Sequence, residues 1–244
     1  MIRLLVPEEL RPLLRVRGGA RASGLVALDV AKDPTASVGH AVQAVGVPLT
    51  EVGGIRVGPA DIALTDRLGH LSADSLLELL PRPRPQPLDG PPRLLLDVHL
   101  GTLARRLRLL GVDAAYGNEA TDDELVAQAA AEDRLLLTQD RGLLMRRGLR
   151  RAAYVRGGRP DDQLADVLDR FRLPLHPFSR CTACNGVLLA VPKSDVLDVL
   201  EPGTRRTQDD FARCDRCGRV YWHGAHGRRL RALVERWGPQ PTLE

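Results

Sequence analysis

The sequence predicts an α/β protein in three parts, and three observations carry that expectation. A run of alternating prolines, Pro81-Arg82-Pro83-Arg84-Pro85-Gln86-Pro87, divides the chain near its first third. After it, short and wholly apolar runs alternate with segments of helical periodicity, the pattern of a parallel sheet covered on both faces. Near the end come two Cys-x-x-Cys pairs, and Cys181, Cys184, Cys214 and Cys217 are the only cysteines in the chain.

The first part is placed at residues 1–80. Ile2–Val6 and Leu25–Val30 read as strands, and Ser37–Ala44 as a short helix whose start is signalled by Asp33-Pro34. Pro48–Val52 and Leu76–Leu80 are expected to add two short strands. Two strands, a helix and then more strands is the element order of a β-grasp, or ubiquitin-like, domain. The segment resembles the ubiquitin-like domains related to bacterial sulfur carriers. Those carriers end in a free Gly-Gly, whereas here the chain runs on into prolines, so a carrier role is not expected. The domain is instead a candidate docking surface for a protein partner. Residues 81–92, extended by Pro91-Pro92, are expected to be a semi-rigid spacer, because alternating prolines can join neither a helix interior nor a sheet interior.

The middle part is placed at residues 93–175. Arg93–Leu96 is an apolar run ending at Asp97. Leu100, Leu103, Leu107 and Leu110 recur at helical spacing, with Arg105, Arg106 and Arg108 on the remaining faces and Gly111 closing the helix. Val112–Tyr116 reads as a second strand, and Thr121-Asp122-Asp123-Glu124 opens a second helix running through Ala131. Arg134–Thr138 is a third strand ending at Gln139-Asp140, and Ala152–Val155 a fourth.

Open α/β sheets bind ligands beyond the carboxyl ends of their strands. Asp97 and Asp140 each follow an apolar run directly, while Asp122 and Asp123 lie at a helix start, where the dipole favours a carboxylate. If these strands are neighbours, the acids converge on one edge and repel one another. Mg²⁺ or Mn²⁺ relieves such repulsion, and a site of that kind supports phosphodiester cleavage. Plain structural roles compete: a helix cap for Asp122 or Asp123 and a turn for Asp140. Asp97 is the hardest to explain without a function. Arg105 and Arg108 are candidates to hold substrate phosphates, or are simply helix-surface arginines.

The last part is placed at residues 176–230. A Cys-x-x-Cys turn aims two thiolates at one ion, and the glycines that follow, Gly186 and Gly218, allow a tight backbone. Two such turns separated by 29 residues make a tetrahedral four-cysteine zinc ribbon, closed and structural. A redox dithiol is the weaker alternative, since two matched pairs are present. His223 and His226 are read as surface or nucleic-acid-facing residues. Tyr221 and Trp222, beside Arg228, Arg229 and Arg231, could stack bases and contact phosphates, or pack in a small core.

The runs LLLDVHLGTLARRLRLLGVDAAY and ATDDELVAQAAAEDRLLLTQDRGLL resemble the PIN-like RNase family named after the C-terminal part of the mut-seven exonuclease. The likeness covers roughly residues 93–225, cysteine pairs included, and a preceding ubiquitin-like segment is also seen in bacterial members. It implies a PIN-like parallel sheet with flanking helices. It also implies metal-binding roles for Asp97, Asp122 and the Thr-x-Asp of Thr138 and Asp140, and the 18-residue step from Asp122 to Asp140 favours Asp122 over Asp123. PIN nucleases commonly carry a further helix glutamate. Here only Asp113 or Glu119 could take that place, with Asp161 and Asp162 as additional acids.

Net charge is 0 over residues 1–90, −4 over 91–140 and +8 over 141–244. An acidic middle beside a basic end suits a metal site next to a polyanion-binding surface. No stretch approaches a membrane span or a signal peptide, so a cytoplasmic protein is expected. The resulting expectation is a metal-dependent ribonuclease with a zinc ribbon that helps grip RNA. The alternative is a non-catalytic RNA- or ribosome-binding module.

Overall fold

The structure, a computed structural model, describes residues 2–15, 20–22, 25–30, 33–88, 90–222 and 227–237. The first sheet is built from β1 (Ile2–Val6), β2 (Ala20–Ala22), β3 (Leu25–Val30), β4 (Val52–Val57), β5 (Ala60–Asp61) and β6 (Leu76–Pro81), with helix α1 (Val38–Ala44) between β3 and β4. Its order is β2-β3-β1-β6-β4-β5. The first and last strands, β1 and β6, run parallel at the centre, and each has an antiparallel neighbour on its outer side. Ile2, Leu4 and Val6 are buried while Arg3 is exposed, the two-residue period of a strand with one face on a core. The Ser37 hydroxyl accepts the amide of His40 and starts α1, which lays Val38, Ala41 and Val42 against that face.

Two expectations for this part are corrected. Pro48–Val52 is not a strand: Leu49–Glu51 forms one 3-10 turn and β4 begins at Val52. Pro48 holds φ at −66° and starts that turn, and the turn points the Glu51 side chain away from the first sheet toward the second. The proline run is not a free spacer either. The Gln86 amide donates to the Arg170 carbonyl, and Arg84 pairs with Asp166 and Asp169, so the run is strapped along a helix of the middle part.

The middle sheet uses β7 (Arg93–Leu96), β8 (Asp113–Tyr116), β9 (Leu135–Thr138) and β10 (Ala152–Tyr154), connected through α2 (Gly101–Leu109), α3 (Asp122–Ala131) and α4 (Arg141–Leu144), with α5 (Pro160–Phe171) following β10. All neighbours are parallel, in the order β10-β9-β7-β8. The third sheet, β11 (Leu188–Val191), β12 (Phe211–Cys214) and β13 (Val220–Trp222), is antiparallel; α6 (Pro202–Thr207) precedes β12, and α7 (Gly227–Trp237) follows β13.

Helices cover both faces of the parallel sheet. On one face α2 and α5 bring Leu103, Leu107, Leu164 and Val167 onto Leu94, Leu96, Leu135 and Leu137, with Leu233, Val234 and Trp237 of α7 alongside. On the other, Leu125 and Ala129 of α3 and Leu143 and Leu144 of α4 meet Leu95 and Leu136. Each fully buried leucine contributes about 1.5–3 kcal/mol, and this two-sided burial explains why the strands read as unbroken apolar runs. Gly111 ends α2 with φ +84°, and a Cβ there would lie 2.0 Å from the His176 carbonyl oxygen. Only glycine allows the segment leading to the cysteines to cross so closely. Among the described residues no helix is long and apolar enough to cross a membrane.

Candidate functional site

Because the middle strands are parallel and adjacent, the ends of β7 and β9 share one rim. Asp97 stands at the end of β7 and is 4% exposed. Its Oδ1 accepts the Val98 amide at 2.6 Å, capping a 3-10 turn, and its Oδ2 accepts the Thr138 hydroxyl at 2.6 Å. The Thr138 Oγ1 accepts in turn the Asp140 amide at 2.8 Å. Asp97, Thr138 and Asp140 therefore form one hydrogen-bonded chain across two neighbouring strands. Asp140 is exposed, and its Oδ1 accepts the Gly142 amide, which starts α4. A cavity of about 510 Å³ opens beside it, lined by Arg15, His99, Gln139, Asp140, Arg141 and Gly142.

The remaining acids behave differently. Asp122 starts α3, whose Thr121–Glu124 capping box fixes the helix N-terminus. That helix follows β8, so topology puts Asp122 at the same rim. Its carboxylate, and that of Asp123, is drawn to Arg146 at 3.5 and 3.1 Å. The expected convergence of three acids is thus corrected to a linked pair with a third nearby that is held by an arginine. Among the described residues, the four cysteines are the only metal-ligating group of three or more close enough to share an ion.

Asp113 begins β8 and pairs in register with Arg93, the start of β7, so it belongs to the opposite rim. There it accepts from Arg134 and Asn185 at 2.7 Å each. Burial raises its pKa, but these donors and the Arg180 charge outweigh it and hold the carboxyl below its ordinary value. Asp161 pairs with Arg106 and Asp162 with Arg159, while Glu119 is exposed in the loop before α3.

Arg108 is corrected from a phosphate ligand to an internal tie. It is 3% exposed, and its guanidinium donates to the carbonyls of Ala114, Thr182 and Ala183 at 2.7, 3.2 and 2.9 Å. Arg105 is exposed on α2 and stays available to solvent. His99, Gln139, Arg141 and Arg15 were not singled out from the sequence. The first three lie within two residues of the acids and could have been found from those strand ends. Arg15 comes from the first part of the chain and has no local signal.

The four cysteine sulfurs lie within 4.8 Å of one another. Cys181 and Cys217 are 3.7 Å apart and Cys184 and Cys214 3.4 Å, far beyond a disulfide bond. Zinc–sulfur bonds of about 2.3 Å in a tetrahedron place sulfurs roughly 3.8 Å apart, so the quartet fits a zinc ion. A Cβ at Gly186 would lie 2.6 Å from the Cys214 sulfur, which explains the glycine after the first pair. Burial raises the Cys181 thiol, but the Tyr221 hydroxyl at 3.0 Å and nearby backbone amides outweigh it and hold it at about 6. Burial and the neighbouring sulfurs push Cys184 up to about 12. A crowd of sulfurs that resists multiple negative charges is what a divalent cation would relieve.

Tyr221 is thereby tied to the cysteines, while Trp222 is 43% exposed with its ring 6.4 Å from that of Phe211. His223 and His226, and the side chains of Arg228, Arg229 and Arg231, lie outside the described residues.

Neither a comparison with curated proteins nor one with solved structures returned a match. The family profile of the Mut7-C RNAse domain matches residues 92–234, from the start of β7 through the cysteine pairs into α7. That match spans more than half of the sequence and covers both the acidic rim and the cysteine quartet, and the chain therefore belongs to the Mut7-C RNAse domain family.

Proposed function

We propose that this protein is a metal-dependent ribonuclease that hydrolyses RNA phosphodiester bonds at the Asp97–Asp140 rim. The observation that carries this is the Asp97–Thr138–Asp140 hydrogen-bonded chain, set at the carboxyl ends of adjacent parallel strands within an RNAse family domain. Asp97, Asp140 and, once released from Arg146, Asp122 are the residues that would hold Mg²⁺ or Mn²⁺. Bound there, the ion supplies a nucleophilic hydroxide and charge stabilisation. Thr138 fixes the Asp97 carboxylate on one side and the Asp140 backbone on the other, so the two acids keep one relative placement. His99, exposed on the adjoining cavity, is placed to hydrogen-bond an incoming phosphate, while the Gln139 amide nitrogen donates to the Val155 and Gly157 carbonyls and holds the strand end in place.

The same proposal divides the chain into a ubiquitin-like β-grasp unit (1–80), a strap (81–92), a PIN-like nuclease domain (93–175) and a zinc ribbon (176–230). The parallel pairing of β1 with β6 at the centre of the first sheet supports the first assignment. The sulfur spacing supports the last. The basic ribbon, with Trp222 half exposed, is read as an aid to RNA binding. The second reading, a non-catalytic RNA-binding module, is favoured by the capture of Asp122 and Asp123 by Arg146.

The test is cleavage of labelled single-stranded RNA with Mn²⁺ or with EDTA, beside Asp97→Asn and Asp140→Asn. Cleavage that needs the metal and is lost in both variants is expected. Binding without cleavage under any condition would instead support the second reading. Elemental analysis should find one zinc per chain. Freely titrating thiols and no metal would remove the ribbon from the assignment.

A further inference from the structure

We propose that Arg15, on the first unit of the chain, is a phosphate-positioning residue for RNA bound at the Asp97–Asp140 rim; this rests on the ribonuclease reading above. A metal at the acidic rim would offset its charge at the scissile phosphate, and the phosphates on either side need a cation from the protein itself. Two arginines line the cavity beside Asp140, Arg15 and Arg141. Arg141 is already committed: its Nη1 donates to the carbonyls of Leu13 and Leu14 at 3.3 and 3.1 Å. The Arg15 side chain, exposed, pairs with no carboxylate among the described residues.

Arg15 is also held in place. Its amide donates to the Val45 carbonyl at 3.0 Å. Gly46, at φ +103°, passes so close that a Cβ there would lie 2.6 Å from the Arg15 nitrogen. The unit that carries it is pinned to the nuclease domain by the buried Glu51–Arg170 pair at 2.9 Å and by Arg156 donating to the Glu9 carbonyl. The bonds from Arg141 to the two residues before Arg15 close the junction there, so Arg15 lines one side of the cavity and Asp140 another.

A guanidinium carried on that anchored backbone matches a phosphate's oxygens in two-pronged fashion. Arg15 therefore grips a backbone phosphate next to the one cleaved, and the first unit is part of the substrate site rather than an appendage. The chemistry requires a polynucleotide with at least one phosphate beyond the scissile one.

The experiment measures fluorescence anisotropy of a labelled oligouridylate with the full, zinc-loaded chain and no added Mg²⁺ or Mn²⁺, for wild type, Arg15→Ala and Arg15→Lys over a range of salt. Cleavage with Mn²⁺ is followed in parallel. Arg15→Ala should bind about tenfold more weakly, with a salt dependence shallower by about 0.7, the share of one single-strand phosphate contact. Arg15→Lys should restore the salt dependence. Under Mn²⁺, Arg15→Ala should raise KM and leave kcat within about twofold, because a uniform binding contact is lost. Thermal midpoints should be unchanged, since the side chain is exposed. Equal affinity and equal salt dependence for wild type and Arg15→Ala would overturn the proposal even if cleavage is confirmed. Arg15-dependent binding without any cleavage would leave it standing and remove the nuclease reading. No RNA binding by the wild type would remove both.

Discussion

The two edges of the parallel sheet are sealed by the same device made from different parts of the chain. At the β10 edge, the Tyr154 amide donates to Glu51 at 2.9 Å and its carbonyl accepts from Arg170 at 3.4 Å. At the β8 edge, the Ala114 amide donates to the Asn185 side chain at 3.0 Å and its carbonyl accepts from Arg108 at 2.7 Å. In both places one outward-facing residue of an edge strand has its donor and its acceptor satisfied by side chains, which stops the edge from pairing with another chain. The difference lies in what holds each seal. Glu51 comes from the first unit and is locked by a buried ion pair, while Asn185 follows Cys184 directly and its amide donates to the Cys181 carbonyl. One seal is electrostatic and the other is expected to be metal-dependent.

The largest effect should come from removing the zinc proposed for the cysteine quartet. Structural zinc contributes on the order of 10 kcal/mol of apparent binding energy in small sites. A strong chelator, or Cys214→Ser, is therefore expected to unfold the third sheet and expose Ala114. Amide hydrogen exchange should rise at Ala114 while Tyr154 stays protected. Unchanged exchange at Ala114 would separate the β8 seal from the cysteines. Next comes the other edge. Glu51→Ala strands the buried Arg170 charge and should cost about 3–5 kcal/mol, read as a lower urea midpoint. Replacing both partners together, Glu51→Leu with Arg170→Met, should recover most of that loss, because a desolvated ion pair gains little over apolar packing.

This comparison also marks what could be read from the sequence. The cysteine quartet is legible because its ligands sit in two local turns of fixed spacing. The placement of Asp97 and Asp140 at neighbouring strand ends is legible because Asp97 directly follows an apolar run and Asp140 lies three residues beyond another, and parallel neighbours bring such ends together. Glu51 was hidden inside an expected strand, since its partner Arg170 lies 119 residues away and nothing in Pro48–Val52 points to it. Arg108 reads as a surface arginine because helical periodicity assigns faces. It carries no sign that a later segment will cover that face with the Thr182 and Ala183 carbonyls. Asp113 looks like one more acid for the rim, yet strand direction alone sends the start of β8 to the far side.

A milder break at the β8 edge is Asn185→Ala. It leaves the Ala114 amide unsatisfied and should cost about 1–3 kcal/mol. It also acts through Asp113, whose pKa in the folded protein lies below the ordinary 3.8. A depressed carboxyl adds stability that is full above its unfolded value and is lost as pH falls through the lower folded value. Removing the Asn185 donor moves that folded value upward, so acid unfolding of the variant should begin at a higher pH than in the wild type. The Asp113 carboxyl itself, followed by NMR through the acid titration, should keep its wild-type behaviour in Glu51→Ala, because Asp113 and its donors are untouched there.

The smallest expected effect tests whether the two seals are special at all. Thr121 caps α3 through its hydroxyl, which accepts the Glu124 amide at 3.3 Å, while Glu124 accepts the Thr121 amide at 2.8 Å. Helix α3 lies on a face of the sheet rather than an edge, packing Leu125 and Ala129 onto Leu136. Thr121→Ala should lower stability by about 1 kcal/mol and leave hydrogen exchange at both Ala114 and Tyr154 in proportion to that global loss. If either edge amide opened disproportionately in this variant, the edges would be coupled through the sheet itself. The account of two independent seals, one held by charge and one by the cysteine quartet, would then give way to a single cooperative unit.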